Sequence, residues 1–287
     1  MDEYDIAQEI RLERQVHKGS FLLLEGDRDI KRFLRFLDPA RCSVVNCFGR
    51  GNLLGAIAIL YDEGFPGVLG LADADFDRLN STLVEHEGVI YSDGHDFDMD
   101  WACKGVLQRY LAEVAHADKC EAMGGIEAIC DFIHQCAKPL SVLRYISVTQ
   151  NVKLPMKRVK HHEISKDAAV DIDLLIDSVA IGPHAAKAAS LKTLVLNHVK
   201  KEFDKLQLTN GHDFLAMLGL ALQSRLGDRK IQQTWGSEVE IHIRLAYSDE
   251  DFLASSIFVA ILAWQDENLP YVILKSSLSD RRTERPV

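Results

Sequence analysis

The sequence has no cysteine pair spaced CxxC; its six cysteines, Cys42, Cys47, Cys103, Cys120, Cys130 and Cys136, are scattered. That pattern argues against a structural zinc or disulfide framework, and such cysteines act as small hydrophobes. Long apolar runs are also missing. The longest nearly unbroken one, Phe252 to Trp264, falls short of the roughly 17–25 residues a bilayer requires and reads as a buried core helix. No apolar segment backs the acidic start Met1-Asp2-Glu3-Tyr4-Asp5, so no secretory leader is expected. A cytoplasmic protein with no membrane partner is the expectation. Basic charge is scarce as well: 33 Lys and Arg stand against 43 Asp and Glu, for a net charge of −10 over 287 residues. This speaks against a protein that coats nucleic acid through its overall field. A local basic strip can still collect phosphates. Neither GxGxxG nor a Walker motif occurs, which removes the usual signatures of nucleotide hydrolysis.

What is present is ordinary globular composition, 47% hydrophobic and 26% charged, which disfavours overall disorder. The first 15 residues have helical spacing, with Ile6, Ile10 and Leu12 on or near one face. Phe21-Leu22-Leu23-Leu24 is a short continuous apolar run, as expected of a strand buried on both faces. A helix is expected over Asp29 to Leu37, stopped by Pro39. Cys42 to Cys47 reads as a second strand, Gly49-Arg50-Gly51-Asn52 as a turn, and Leu53 to Tyr61 as a helix. Val68 to Ala72 and Val89 to Tyr91 read as the third and fourth strands. This alternation implies right-handed crossovers and a mostly parallel sheet flanked by helices. Beyond about Gly105 the patterns become helical: Val106 to Val114, Gly125 to Ala137, Ile172 to Val179, Ala185 to Leu206, Asp213 to Leu226 and Asp251 to Trp264. The expected organisation is an α/β domain over residues 1–125 and a mainly helical region over 126–287, with Ser279 to Val287 frayed.

In open α/β sheets the functional groups collect beyond the carboxyl ends of strands. Acidic residues stand there three times: Glu25, then Asp73, Asp75 and Asp77, then Asp96, Asp98 and Asp100. If these ends meet, the carboxylates must hold protons through raised pKa values or hold a hard cation such as Mg²⁺ or Mn²⁺. A cation held by few carboxylates leaves positions for water and phosphate, which serves phosphoryl transfer. The alternative is that these acids cap helices and form turns, the role assigned to Asp27, Asp93 and Asp100. For Glu25, Asp73 and Asp75 together, capping does not predict the coincidence.

Glu25-Gly26-Asp27-Arg28-Asp29 after an apolar strand resembles the EGxxD signature of the Toprim domain, and Asp73-Ala74-Asp75 resembles its DxD signature. Three blocks resemble one Toprim-like branch more closely: Lys18 to Gly26, Val68 to Asp77, and His95-Asp96. That branch includes the nuclease-like effector of the PARIS anti-phage defence system, and it is related to the overcoming-lysogenization nucleases. The resemblance is tight over about residues 10–105 and looser afterwards. It implies a Toprim-type sheet and a metal-dependent nuclease that cleaves RNA, with tRNA as substrate, beside an ABC-type ATPase partner. It further implies Glu25 as general acid/base or metal ligand, and Asp73 and Asp75 as ligands of Mg²⁺ or Mn²⁺. Where the pattern HDxE is expected, the chain has His95-Asp96-Phe97-Asp98, so which of Asp77, Asp96 and Asp98 completes the metal set stays open. A DNA nuclease or nickase, and a non-catalytic assembly subunit, are the competing readings.

Other candidates lie outside those blocks. Arg50 in the glycine turn is expected to touch a backbone phosphate. Lys153, Lys157, Arg158 and Lys160, with His161 and His162, form a basic cluster in an acidic chain and are the expected nucleic-acid contact. The alternatives are a solvated loop or a surface for an acidic partner. Lys104 reads as an exposed helix lysine, and Gly211-His212-Asp213 as a helix start with Asp213 in its first turn. Apolar helical stripes beyond what one small sheet can cover predict a homodimer.

Overall fold

Every residue of the first strand is apolar except Ser20, and all five residues of β1, Ser20–Leu24, are buried. In the computed structural model, residues 1–280 are described, so the expected fraying beyond Asp280 falls outside the described residues. β1 lies at the centre of a four-stranded sheet with β2 (Cys42–Asn46), β3 (Val68–Ala72) and β4 (Val89–Tyr91), in the order β2-β1-β3-β4. All pairings are parallel, with Leu24 opposite Asn46 on one side and Leu71 on the other. The two central strands are buried throughout and the two edge strands only in part. Continuous apolar runs thus sit in the middle of the sheet, where helices cover both faces.

The helices α1 (Glu3–Glu13), α2 (Asp27–Phe33) and α3 (Arg50–Asp62) connect and cover these strands. Ile6, Ala7 and Ile10 of α1 join Leu53, Ala56, Ile57 and Leu60 of α3 over Phe21 and Leu23 of β1 in one core. Asp2 caps α1, its carboxylate accepting from the Tyr4 and Asp5 N–H groups. The expected turn at residues 49–52 is shorter than predicted. Gly49 alone is the cap, at φ +127°, and the helix begins at Arg50. Helix α2 ends at Phe33 and passes into a 3₁₀ turn, Leu34–Phe36.

The chain forms two compact units. The first contains Met1–Ala74, Leu83–Asp93 and the described residues from Ser248 on, and holds the four-stranded sheet. Within it, the expected helix over Asp251 to Trp264 is two, Asp249–Leu253 and Ser256–Glu267. The break comes at Ser255, whose hydroxyl accepts from the Phe258 N–H and starts the second helix. Gln265 Oε1 accepts from both the Ile273 and Leu274 N–H groups, each at 2.8 Å. Leu274 then bridges to Leu37, and the Ser20 hydroxyl donates to the Val272 carbonyl at 2.9 Å.

The second unit, Asp75–Thr82 with Gly94–Tyr247, is mainly helical. Its longest helix, Gly125–Thr149, runs past the expected end at Ala137 and carries Pro139 inside. Leu140, Leu143 and Ile146 continue the buried stripe of Ile129, Ile133 and Ala137, and that packing outweighs the lost backbone hydrogen bond. The expected helix over Ala185 to Leu206 comprises a 3₁₀ segment, Gly182–Lys187, and the helices Ala188–Val199 and Lys205–Leu208. No helix among the described residues is long and apolar enough to cross a membrane.

Candidate active site

Because β1 and β3 are parallel neighbours, their carboxyl ends lie side by side. Glu25 stands one residue past Leu24, and Asp73 one residue past Ala72. The two are joined: the Asp73 N–H donates to Glu25 Oε1 at 2.8 Å. Both residues are half-buried. The Glu25 carbonyl in turn accepts from the Gly49 N–H at 2.8 Å, which ties the loop after β2 to the loop after β1. At φ +127°, position 49 takes a conformation that L side chains rarely adopt, so glycine is needed there. Arg50 follows at once, half-buried, with its guanidinium carbon 5.7 Å from the centroid of the Tyr91 ring on β4. A Cβ placed on Gly26 would meet nothing within 4 Å, so there is open space next to Glu25.

The remaining acids belong to the second unit. Asp75 has φ +49°, a left-handed conformation that Asp tolerates better than most residues, and its N–H donates to the His95 carbonyl at 2.7 Å. Asp77 opens the short helix Asp77–Asn80, and the Thr82 hydroxyl donates to its Oδ1 at 3.2 Å. Asp96 is buried and caps the helix Phe97–Trp101. Its Oδ1 accepts from the Met99 N–H at 2.9 Å, and its Oδ2 from the Gly211 N–H at 2.8 Å and the Asn210 amide at 3.2 Å. Burial pushes the Asp96 carboxyl up, His95 pulls it down and Asp98 pushes it further up, with the balance above the usual carboxylate range. Gly211 fits this clamp because a Cβ there would come within 2.3 Å of the Asp98 Cβ and 2.4 Å of Asp96 Oδ1. Asp98 Oδ2 lies 3.7 Å from His212 Nδ1.

The acids assigned to turns and caps divide: Asp100 holds a local loop N–H, whereas Asp27 and Asp93 hold side chains from other elements. Asp100 Oδ1 accepts from the Gly94 N–H at 2.7 Å, and Asp27 Oδ1 from the Asn46 amide at 2.8 Å. Asp93 accepts from the Ser256 hydroxyl. Lys104 is exposed and pairs with Glu127.

Carboxylate oxygens are the donor chemistry that Mg²⁺ and Mn²⁺ select. Among the described residues, no group of three or more His, Cys, Asp or Glu side chains is gathered as a metal centre. Mg²⁺ does not require one, since it is commonly bound through one or two carboxylates with phosphate and water completing its shell. The structure places Glu25 and the Asp73 main chain in contact at the carboxyl edge of the sheet.

Lys153, Lys157, Arg158 and Lys160 are all exposed, in the segment between the helix Gly125–Thr149 and the short helix His161–Ile164. The next residue contributes something the sequence spacing does not reveal. His161 Nε2 lies 2.9 Å from Oδ1 of Asp213, which is completely buried at the start of the helix Gly211–Ser224. Arg144 grips the same carboxylate through Nε at 2.7 Å and Nη2 at 3.0 Å. Burial by itself would raise Asp213, but the Arg144 charge and the hydrogen bonds from His161 and Arg144 outweigh it and hold the group below the usual carboxylate range. Asp213 and His161 each stood out in the sequence, but nothing there links them to Arg144, because the three residues come from three different elements. No family model matches this chain, and no curated protein matches it significantly.

Proposed function

We propose that the chain is a Toprim-type, metal-dependent phosphodiesterase that cleaves RNA, with tRNA as substrate, as the effector of an anti-phage defence system. The hydrogen bond from the Asp73 N–H to Glu25 Oε1 carries this reading. It joins the acid of the EGxxD-like block to the first acid of the DxD-like block at the carboxyl edge of the sheet, where such folds keep their chemistry. Glu25 and Asp73 would hold Mg²⁺ or Mn²⁺, which when bound supplies charge stabilisation at the scissile phosphate. The Asp73 N–H fixes the orientation of the Glu25 carboxylate, which would exchange a proton with the attacking or leaving oxygen. Arg50, on the same edge, has the charge and reach to orient a phosphate. The open space at Gly26 admits a substrate backbone beside the carboxylate. An ABC-type ATPase partner and a homodimeric assembly belong to the same proposal.

The test is Glu25→Gln. The amide oxygen can still accept from the Asp73 N–H, so the fold is kept while charge and proton transfer are lost. Cleavage of tRNA in the presence of Mg²⁺ is expected to fall by roughly 10²-fold or more, with an unchanged circular dichroism spectrum. Wild-type rates in the variant would end the assignment. Plasmid DNA run in parallel separates the readings, since nicking of plasmid without cleavage of tRNA would favour the DNA-directed alternative.

A further inference from the structure

The second unit contains a cavity of about 290 Å³ that the sheet-edge acids do not account for. Lys160, His161 and His162 line one part of it, and Leu220, Gln223 and Trp235 line another. Its features are of three kinds. The first is a ring of fixed orientation. Asp213 is buried and held by two nitrogens of Arg144, so the carboxylate that takes His161 Nε2 cannot swing away. A neutral imidazole so bonded carries its proton on Nε2 and turns Nδ1 into an acceptor, whereas the protonated ring donates from both. The second is positive charge. Lys160 and His162 are exposed, and their only counter-ion among the described residues is the exposed Glu163, 2.9 Å from Lys160 Nζ and 3.9 Å from His162 Nε2. Such surface pairs are worth little, so an anion of higher charge can replace Glu163. The third is an aromatic face. Trp235 is 53% exposed, while the other two tryptophans, Trp101 and Trp264, are 2% and 8% exposed. Beside Trp235, the Gln223 amide donates to the Thr234 hydroxyl at 2.7 Å, which fixes the side chain and leaves its oxygen as an acceptor.

We infer that this cavity binds one nucleotide, with the base stacked on Trp235 and the phosphate held by Lys160 and His162. An exposed indole lining the same small cavity as the Lys160 ammonium and two imidazoles matches a flat π-system joined to a phosphate. Stacking on such a face tolerates any base, and Gln223 offers an acceptor for a base amino group. His161, aimed by Asp213, is a positioning group for the phosphate or ribose. The same chemistry is offered by a free nucleoside monophosphate and by the phosphorylated end of a strand. The inference does not rest on the nuclease reading, because binding here uses none of the sheet-edge acids.

Tryptophan fluorescence of the full chain reads the site directly, since the exposed Trp235 is the indole within a quencher's reach. The titration is done in chelator, so that cleavage plays no part, with AMP, GMP, CMP and UMP as probes. Saturable quenching at micromolar to low millimolar nucleotide is expected. Adenosine and ribose 5-phosphate, each carrying half of the determinant, are expected to bind at least tenfold more weakly than AMP. By calorimetry, Trp235→Ala and the double variant Lys160→Ala/His162→Ala should each lose at least tenfold in affinity; all three positions are at the surface, and circular dichroism checks the fold. A short 5′-phosphorylated oligonucleotide that competes at lower concentration than AMP identifies a strand end as the ligand, and the reverse order identifies a free nucleotide; both support the site. No saturable binding of any mononucleotide or oligonucleotide up to roughly 10 mM would overturn it. So would wild-type affinity in the Trp235 and Lys160/His162 variants.

Discussion

His134 is an imidazole kept neutral by its surroundings. It is buried on the helix Gly125–Thr149, with the Thr209 hydroxyl 2.8 Å from Nδ1 and the Phe214 ring centroid 4.9 Å away. Burial, helped by the charge of Lys205, pushes its pKa down to about 4. An unfolded chain returns it to about 6.5, so between these values the unfolded state binds the extra proton. The resulting stability is complete above about pH 6.5 and is lost as pH falls toward 4. At about 1.36 kcal/mol per unit, the loss is on the order of 2–3 kcal/mol. Urea unfolding at pH 7.5 and 4.5 should show this drop in the wild type and a clearly smaller one in His134→Gln. An equal drop in both would assign the acid sensitivity elsewhere. Asp29 has a second role beside its place at a helix start. It stands in the first turn of α2, where an acid serves the helix start, but its Oδ1 lies 2.7 Å from Nη1 of Arg32, which is itself buried. Its main contribution is to neutralise a charge inside the fold.

At the scale of elements, α3 is pressed against β3. A Cβ on Gly70 would come within 2.9 Å of Leu53 Cδ2 and 3.3 Å of Ile57 Cγ1. Gly70→Ala should therefore destabilise the protein by about 1–3 kcal/mol through overpacking. Gly51→Ala, in the first turn of α3 with nothing within 4 Å, should be neutral or stabilising by up to about 1 kcal/mol. Denaturation midpoints of the two variants check the contrast. The strands were legible because each is a short apolar run between turn residues, and alternation with helices gives the parallel order. The helix ends were less so. Pro139 signals a stop that buried Leu140, Leu143 and Ile146 override, whereas Ser255 starts a helix inside what reads as one apolar run. Of the candidate site, the position of Glu25 beside Asp73 follows from strand order. The Arg144–Asp213–His161 cluster does not, since its members lie far apart in sequence and only helix packing brings them together.

The whole molecule has a net charge of −10, so its long-range field repels polyanions. On the proposed function, contact with RNA would depend on local positive segments, of which the exposed Lys153, Lys157, Arg158 and Lys160 form one. Each phosphate neutralised on a single strand contributes about 0.7 to the slope of log K against log salt. Lys157→Ala/Arg158→Ala should lower that slope by roughly 1.4 and weaken RNA binding without regard to sequence. Filter binding across a salt series in chelator provides the measurement, and an unchanged slope would remove this segment from the interface.

The sheet unit is assembled from pieces that the ribosome delivers at very different times. Its four strands are complete once Tyr91 has been made, but Ser248 to Leu274 follows only after the entire stretch from Gly94 to Tyr247. Until then the Ser20 hydroxyl lacks its acceptor at Val272, and the Asp38 N–H lacks the Ile273 carbonyl to which it donates at 2.9 Å. A nascent chain thus carries Glu25 and Asp73 long before their unit can close. A chain cut short before Ser248 has all four strands but lacks the partners that Ser20 and Asp38 find at Val272 and Ile273.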